Sequence, residues 1–509
     1  MSCLAIHFSS SLMRTQSMST SPLSRFPEEV LSEIFMIAVF GYENTETRQL
    51  PSMEEDVFGI YRHIYRISGV CSFWRSIMLA RGAFWSVIPM ITSRYTDEQK
   101  PFRLILPRAR GSKLHLAATI SPSVFPDFVE ILAEYGPRFR TLNFRADSCF
   151  AIVDIIEALL QHESLTSLSE LSFQVANESH LDHTLPSDSD YVFSRDSPLN
   201  PSLPTLLGML SAFRISGANF HWDTMVSSSR LVALHIEDVT LGYDTIIVSF
   251  LHALSSASEL QDLKIVSVAT LHNSDATFDA DAFLPVTFPN LRSLYLHNLY
   301  FNTLECMLSM IVSPTYQVSL SVTCNCFMTH TEGGFDDNEV NTEDVESHSC
   351  DDLCRLLADI PVYTLTTIEH CWLLGPTLHR LLSAAPALKT LKLDTWSFDV
   401  DVWKYLERSQ TTEGHLRGSS LPALENLHLT SARIFFIDGF KEMVASHPLQ
   451  QLVIGGTLLG ARTDGSPGFR SFEENNDLIE WLKVTVPDVF LMDSKHHLLE
   501  CYPNVWRLW

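Results

Sequence analysis

The chain has 509 residues, 46% hydrophobic and 19% charged, a composition that folds, spread over too much length for one ordinary core. Its formal net charge of −25, with a pI near 5.1, argues against a nucleic-acid backbone as main partner. Ten scattered cysteines make no disulfide framework and no apolar run reaches the length of a bilayer span, so the expectation is a cytoplasmic or nuclear protein with no membrane partner.

Residues 1–21, rich in Ser and Met, read as a disordered tail. A helix is predicted from Pro27, a residue suited to the first helical position because it has no N–H to leave unsatisfied. Glu28 and Glu29 then lie where the helix dipole favours negative charge, and Val30, Leu31, Ile34, Phe35 and Ala38 follow at helical spacing. A second helix is predicted from about Tyr61 to Ala80, carrying Ile64, Ile67, Val70, Cys71, Trp74, Ile77 and Met78. The polar, acidic stretch 41–56 between them, with a proline, reads as a loop. So small a helical module has a thin core and suits a partner's surface.

The words of this module resemble the F-box family. Phe26-Pro27-Glu28-Glu29-Val30-Leu31 with Ile34-Phe35 is similar to that family's opening Leu-Pro-x-Glu-(Ile/Leu)-Leu-x-x-Ile-Phe. Ile67-Ser68-x-Val70-Cys71-x-x-Trp74-Arg75 is similar to its second block, and Ala83-Phe84-Trp85-Ser86-Val87-Ile88 to the closing Leu-Trp-Ser-x-Ile of fungal members. Phe26 replaces the usual leucine, and the insertion at 41–60 is longer than most members carry. The resemblance implies an F-box module over 22–90 that docks on a Skp-type adaptor, which bridges to a cullin scaffold. It implies Pro27, Val30, Leu31, Ile34, Val70 and Trp74 as adaptor-binding residues, with pure core as the competing role for Trp74.

From residue 100 onward the phrase apolar-x-x-apolar-x-apolar recurs: Phe139/Leu142/Phe144, Leu168/Leu171/Phe173, Leu231/Leu234/Ile236, Leu260/Leu263/Ile265, Leu291/Leu294/Leu296, Leu388/Leu391/Leu393, Leu424/Leu427/Leu429 and Leu449/Leu452/Ile454. Neighbouring clear copies lie 25 to 36 residues apart, and degenerate copies fit near Phe213-Ile215, Val318-Val322 and Leu365-Ile368. Helical stretches precede most copies, with a proline often between helix and strand (Pro289, Pro386, Pro422). A period of this length marks units that bury their apolar faces by stacking. The resemblance is to leucine-rich repeats, without the usual Asn or Cys after the strand.

Together these imply an α/β fold: a small all-helical F-box module followed over 100–500 by an irregular leucine-rich-repeat solenoid, parallel strands concave and helices convex. Polar insertions at 174–205, 266–287, 323–349 and 455–476 each follow a strand phrase and are expected on one rim. The insertion at 329–352 is acidic, with nine carboxylates and no Lys or Arg between 332 and 352. It reads as a solvated loop, or as a lure for a basic partner.

Cys324, Cys326, His330, His348, Cys350 and Cys354 offer zinc-type ligands, but their spacing fits no closed finger, so no metal or cofactor is expected. No nucleophile elbow, zinc-protease motif or phosphate loop occurs, Gly465-Ser466-Pro467-Gly468 is a turn, and His496-His497 reads as exposed. The aromatic end Tyr502–Trp509 is expected to cap the last repeat. The implied function is non-catalytic: the substrate-recognition subunit of a cullin-RING ubiquitin ligase of the SCF type, binding an unknown target protein through the repeats. The alternative is a leucine-rich-repeat scaffold for protein interactions, not coupled to ubiquitination. An enzyme on an unfamiliar fold ranks last.

Overall fold

The computed structural model describes residues 26–41, 52–91, 102–162, 165–175, 185–224, 228–273, 284–313, 316–331, 347–368, 375–408, 421–461 and 467–492. The tail 1–21, most of the acidic stretch (332–346), the Gly465-Ser466 turn, His496-His497 and the aromatic end lie outside them.

Three helices open the described chain: α1 (Glu28–Phe40), α2 (Met53–Val70) and α3 (Ser72–Ala80). The sequence placed 53–56 in a loop and began the helix near Tyr61, but α2 already starts at Met53. Ser52 and Glu55 form a capping box, each side chain bonded to the other's backbone N–H, and Glu54, Glu55 and Asp56 fill the first turn. The acidic run that looks like a loop is thus a helix start. The single helix predicted over 61–80 is broken at Cys71, whose backbone is extended and whose Sγ accepts from the N–H of Trp74.

After the helices comes a mixed α/β body built on one large, mainly parallel sheet. In chain order its principal strands are Val87–Met90, Leu114–Ile120, Phe139–Ala146, Glu170–Val175, Ala212–Ser216, Ala233–Tyr243, Asp262–Leu271, Ser293–His297, Gln317–Val322, Val362–Ile368, Thr390–Asp394, Asn426–Ile434 and Gln451–Ala461. Each lies beside the next in sequence, with flanking helices between most of them, which is a solenoid-like arrangement. At the far end Pro467–Ser471 pairs antiparallel with one half of the last strand and Asp488–Met492 parallel with the other.

The last two apolar positions of every clear phrase, and each degenerate copy, fall in one of these strands, and the central apolar residues are register partners. Leu142 pairs with Leu171, Leu171 with Phe213, Phe213 with Leu234, Leu234 with Leu263 and Leu263 with Leu294. Farther on, Leu391 pairs with Leu427 and Leu427 with Leu452. These side chains are buried in one continuous core, because like residues stack on like. An aromatic file runs through its first part: Phe128 meets Phe144 edge-on at 5.2 Å, Phe144 stacks on Phe173 at 5.7 Å, and Phe173 meets Phe213 at 6.4 Å.

A second regularity escaped the sequence. In seven copies, from Phe213-Ile215 onward, the residue two after the last apolar position has a positive φ: Gly217 (φ 70), Asp238 (φ 51), Ser267 (φ 47), Asn298 (φ 53), Thr395 (φ 59), Ser431 (φ 49) and Gly456 (φ 133). Non-glycine residues rarely adopt that conformation, so its return at one position marks a shared turn. Gly456 is obligatory there, since a Cβ would strike the backbone of Ala432. Asn298 ties its turn to both sides, donating to Ser267 Oγ at 3.0 Å and accepting from Thr323 Oγ1 at 3.1 Å and Asn325 Nδ2 at 3.0 Å.

The helical head is welded to the first edge of the sheet. The Trp85 indole N–H donates to the Met78 carbonyl at 2.8 Å, Arg108 lies over its ring at 4.6 Å, and Tyr61 donates to the Val87 carbonyl. Glu54 of α2 reaches farther, to Thr119 Oγ1 at 3.2 Å and Arg145 at 3.3 Å. Residues 87–90, read from sequence as the close of the helical module, are therefore the first strand of the body.

Candidate docking face and polar strand row

Beyond its acidic first turn α1 is apolar nearly all round. At about 100° per residue, Leu31, Phe35 and Val39 share one side and Val30, Ile34 and Ile37 the other. The first set is buried where α1 packs on α2 and α3. The second stands open: Val30 is 42% exposed, Ile34 49% and Ile37 70%. Single apolar residues on a surface need no explanation, but a file of them on one helix does.

Of the six residues implied as adaptor-binding, Pro27, Val30, Ile34 and Val70 lie on the surface. Leu31 does not: at 2% exposure it is core, because the helical rotation turns it to the side of Phe35. Trp74 is half-buried, its ring 4.7 Å from that of Phe35, and so braces α1 from behind. Sequence periodicity missed Ile37, the most exposed of the file, because on an all-apolar helix it cannot tell the inner face from the outer.

The body offers a second surface. The strand positions alternating with the core leucines are polar and in register: Asn143, Ser172, Arg214, His235, Lys264 and Tyr295 form one row. Glu237, Val266 and His297 belong to the next row. Arg214 pairs with Glu170 at 3.2 Å, Lys264 lies over the Tyr295 ring at 5.4 Å, and Tyr295 stacks on His297. Burial, helped by neighbouring Asp238, pushes the Glu237 carboxyl up to about 9. Burial, with Lys264 and Arg214 nearby, holds His235 down to about 3, and burial alone holds His297 down to about 4. At neutral pH the His235–Glu237 contact of 3.6 Å thus joins two uncharged groups and is too long for a strong hydrogen bond. Asn143, Ser172, Glu237 and His297 are buried within these rows, and the side chains that reach solvent, at least in part, are those of Arg214, His235, Lys264 and Tyr295.

Where the insertions rejoin the body, a buried network fixes their stems. Asp244 accepts from Thr270 Oγ1 at 2.6 Å and Asn302 Nδ2 at 2.7 Å, and lies 3.0 Å from His272 Nδ1. The backbone N–H of His330 donates to Asn302 Oδ1 and that of His272 to the His330 carbonyl, while Thr331 bridges to His272 and Ser347 to Met328. The described ends of the 266–287 and 323–349 insertions therefore meet, as one rim would require.

The candidate zinc ligands are dispersed among other tasks. His330 is buried, 3.0 Å from the Thr270 carbonyl, His348 bonds with Thr329 at 2.7 Å, Cys326 is buried and Cys324 exposed. Among the described residues no three groups of metal-ligand type converge.

No family model matches the chain, and no curated protein does. Among solved structures, the leucine-rich repeat-containing protein LegL7 from Legionella pneumophila is 12% identical, with a TM-score of 0.32, over 78% of this chain and 97% of that one. The complex of Rad7 and Elc1 in yeast is 14% identical, with a TM-score of 0.30, over 69% of this chain and 78% of that one. Both are distant likenesses.

Proposed function

We propose that the chain is a non-catalytic protein-interaction protein, in which the helical head docks one partner and the polar strand row of the body reads another. The observation that carries this is the open file of Val30, Ile34 and Ile37 on a helix whose inner face is already filled. An enzyme needs groups brought to one reacting atom; the row in the body supplies a long surface instead.

The finer reading is an F-box substrate receptor in the cytoplasm or nucleus, with a leucine-rich-repeat body. It rests on the resemblance of the head to the F-box words, and in it the head holds a Skp-type adaptor and cullin while the body holds a target. Ligation would then be favoured by tethering, which raises the target's effective concentration near a ubiquitin-carrying enzyme. The scaffold reading keeps the body's role and drops the coupling to a ligase.

The test uses the full chain, because deleting the head would strip the first edge strand. Purified chain is mixed with a Skp-type adaptor and a cullin, alongside the surface variants Ile34→Glu and Ile37→Glu. Capture of both proteins, lost in the variants, is the receptor result. Adaptor without cullin selects the scaffold, and capture indifferent to the variants removes α1 as the docking face. Leu31→Asp is the wrong probe, since it buries an unpaired charge in the core and would unfold the head.

A further inference from the structure

From the geometry at the start of the Cys350–Leu357 helix we infer that Cys350 and Cys354 form a peroxide-sensitive dithiol, with Cys350 the attacking sulfur and Cys354 the resolving one. The two residues are a helical turn apart, their sulfurs 3.7 Å from each other, and both are half-buried rather than sealed in the core. Cys350 is the first residue of the helix, where backbone N–H groups favour a thiolate. The neighbouring helix Gly375–Ser383 brings Arg380 toward it and places the Thr377 carbonyl 3.9 Å from its sulfur.

The Cys354 hydrogen bond to Cys350, and then Arg380, bring the Cys350 thiol down to about 7 against the opposing pull of burial. The same contact pushes Cys354 up, so it keeps its proton. The other charges around the pair are Asp351, paired with Arg380; Asp352 and Arg355, paired with each other; and Glu305, on the Phe301–Met310 helix, which interacts with Asp352 and His348.

The chemistry closes without a further reagent. The Cys350 thiolate attacks one oxygen of a hydroperoxide; the O–O bond breaks, sulfur becomes a sulfenic acid and the second oxygen leaves as water or alcohol after taking a proton. The Cys354 sulfur then attacks that sulfenic sulfur, its proton joins the departing hydroxyl, and a second water leaves behind a disulfide. Peroxide is reduced and two thiols are oxidised.

The bond must draw the sulfurs from 3.7 Å to about 2.05 Å. Side chains four apart on a helix hold their Cβ atoms about 5–6 Å apart, whereas a disulfide wants about 3.8 Å, so the first turn has to open. That turn is held by the capping box of Ser349 and Asp352. Oxidation therefore acts on the cap where the acidic insertion rejoins the helix layer, and the strained bond is easily reduced again.

The full chain is alkylated with iodoacetamide across a pH series, and the Cys350 peptide is followed by mass spectrometry. The expected midpoint is near pH 7, with a rate at neutral pH about threefold above a free cysteine derivative, the gain in thiolate being partly offset by its lower nucleophilicity. Arg380→Gln moves the midpoint upward. Under peroxide the wild-type peptide loses two hydrogens and regains them with dithiothreitol, whereas Cys354→Ser, folded by circular dichroism, stops at a sulfenic acid that dimedone captures. A midpoint matching the free derivative, or an oxidised wild-type Cys350 without loss of two hydrogens, overturns the inference.

Discussion

The head and the body solve the same problem in opposite ways. In the body each strand and its helix cannot bury their own apolar faces, so neighbours stack and the central positions, Leu142, Leu171, Leu234, Leu263 and Leu294 among them, are closed to solvent. In the head, α1 is apolar on both sides: Leu31, Phe35 and Val39 are buried and Met36 and Phe40 partly covered, while Val30, Ile34 and Ile37 stay open. A stack needs nothing from outside except at its ends. A helix with a second apolar face is incomplete by itself, and that makes the head the natural place for a partner.

The comparison can be broken at several points. Leu263→Ala removes a fully buried side chain in the middle of the stack and is expected to cost about 3–5 kcal/mol in urea unfolding. A much smaller loss would mean that the body's core is loosely packed. Asn298→Ala leaves a side chain without hydrogen bonds in a left-handed turn and should cost about 1–3 kcal/mol. A neutral result would remove the turn from the devices that hold the stack.

Glu237 and its histidines predict a pH signature for the body. The Glu237 carboxyl lies above its ordinary 4.5, so the folded chain keeps a proton that the unfolded chain releases. Its contribution is full below that value and declines as pH rises toward about 9. His235 and His297 lie below 6.5, so stability falls as pH drops from there toward about 4, where the unfolded chain takes up protons the folded one refuses. Glu237→Gln is expected to remove that decline over its whole span, from about pH 4.5 upward, leaving the histidine slope alone below 6.5; a variant that tracks wild type across pH 6.5–9 refutes it. The smallest effect on stability belongs to the head: Ile34→Glu should alter unfolding by no more than about 0.5 kcal/mol while abolishing capture of a docking partner. A large loss of stability there would place Ile34 in a core.

The body was legible because its repeated phrase carries the register: residues such as Leu391 and Leu427 align in sequence as they do in space. The strands Val87–Met90 and Leu114–Ile120 went unread because they lack the full phrase and are recognised only by their pairing. The left-handed turn was hidden because its one conformation is filled by Gly, Asp, Ser, Asn and Thr, and single-sequence matching looks for one letter. In the head, helical spacing found the apolar residues but not their sides. Leu31 and Ile34 are both apolar and nearly adjacent, and which one faces solvent depends on where α2 and α3 lie.

Glu54, Tyr61 and Trp85 give the head a further consequence. α2, against which the helix carrying the open file packs, also lies against the terminal strand of the sheet, whose bare edge would otherwise invite pairing with other chains. Cover for the edge and attachment are thus vested in one packed unit, the described residues between 28 and 91. A change that loosened α2 would produce a chain prone to self-association before it produced one that merely fails to dock, so intermediates between a docking and a free-standing version of this protein should be scarce.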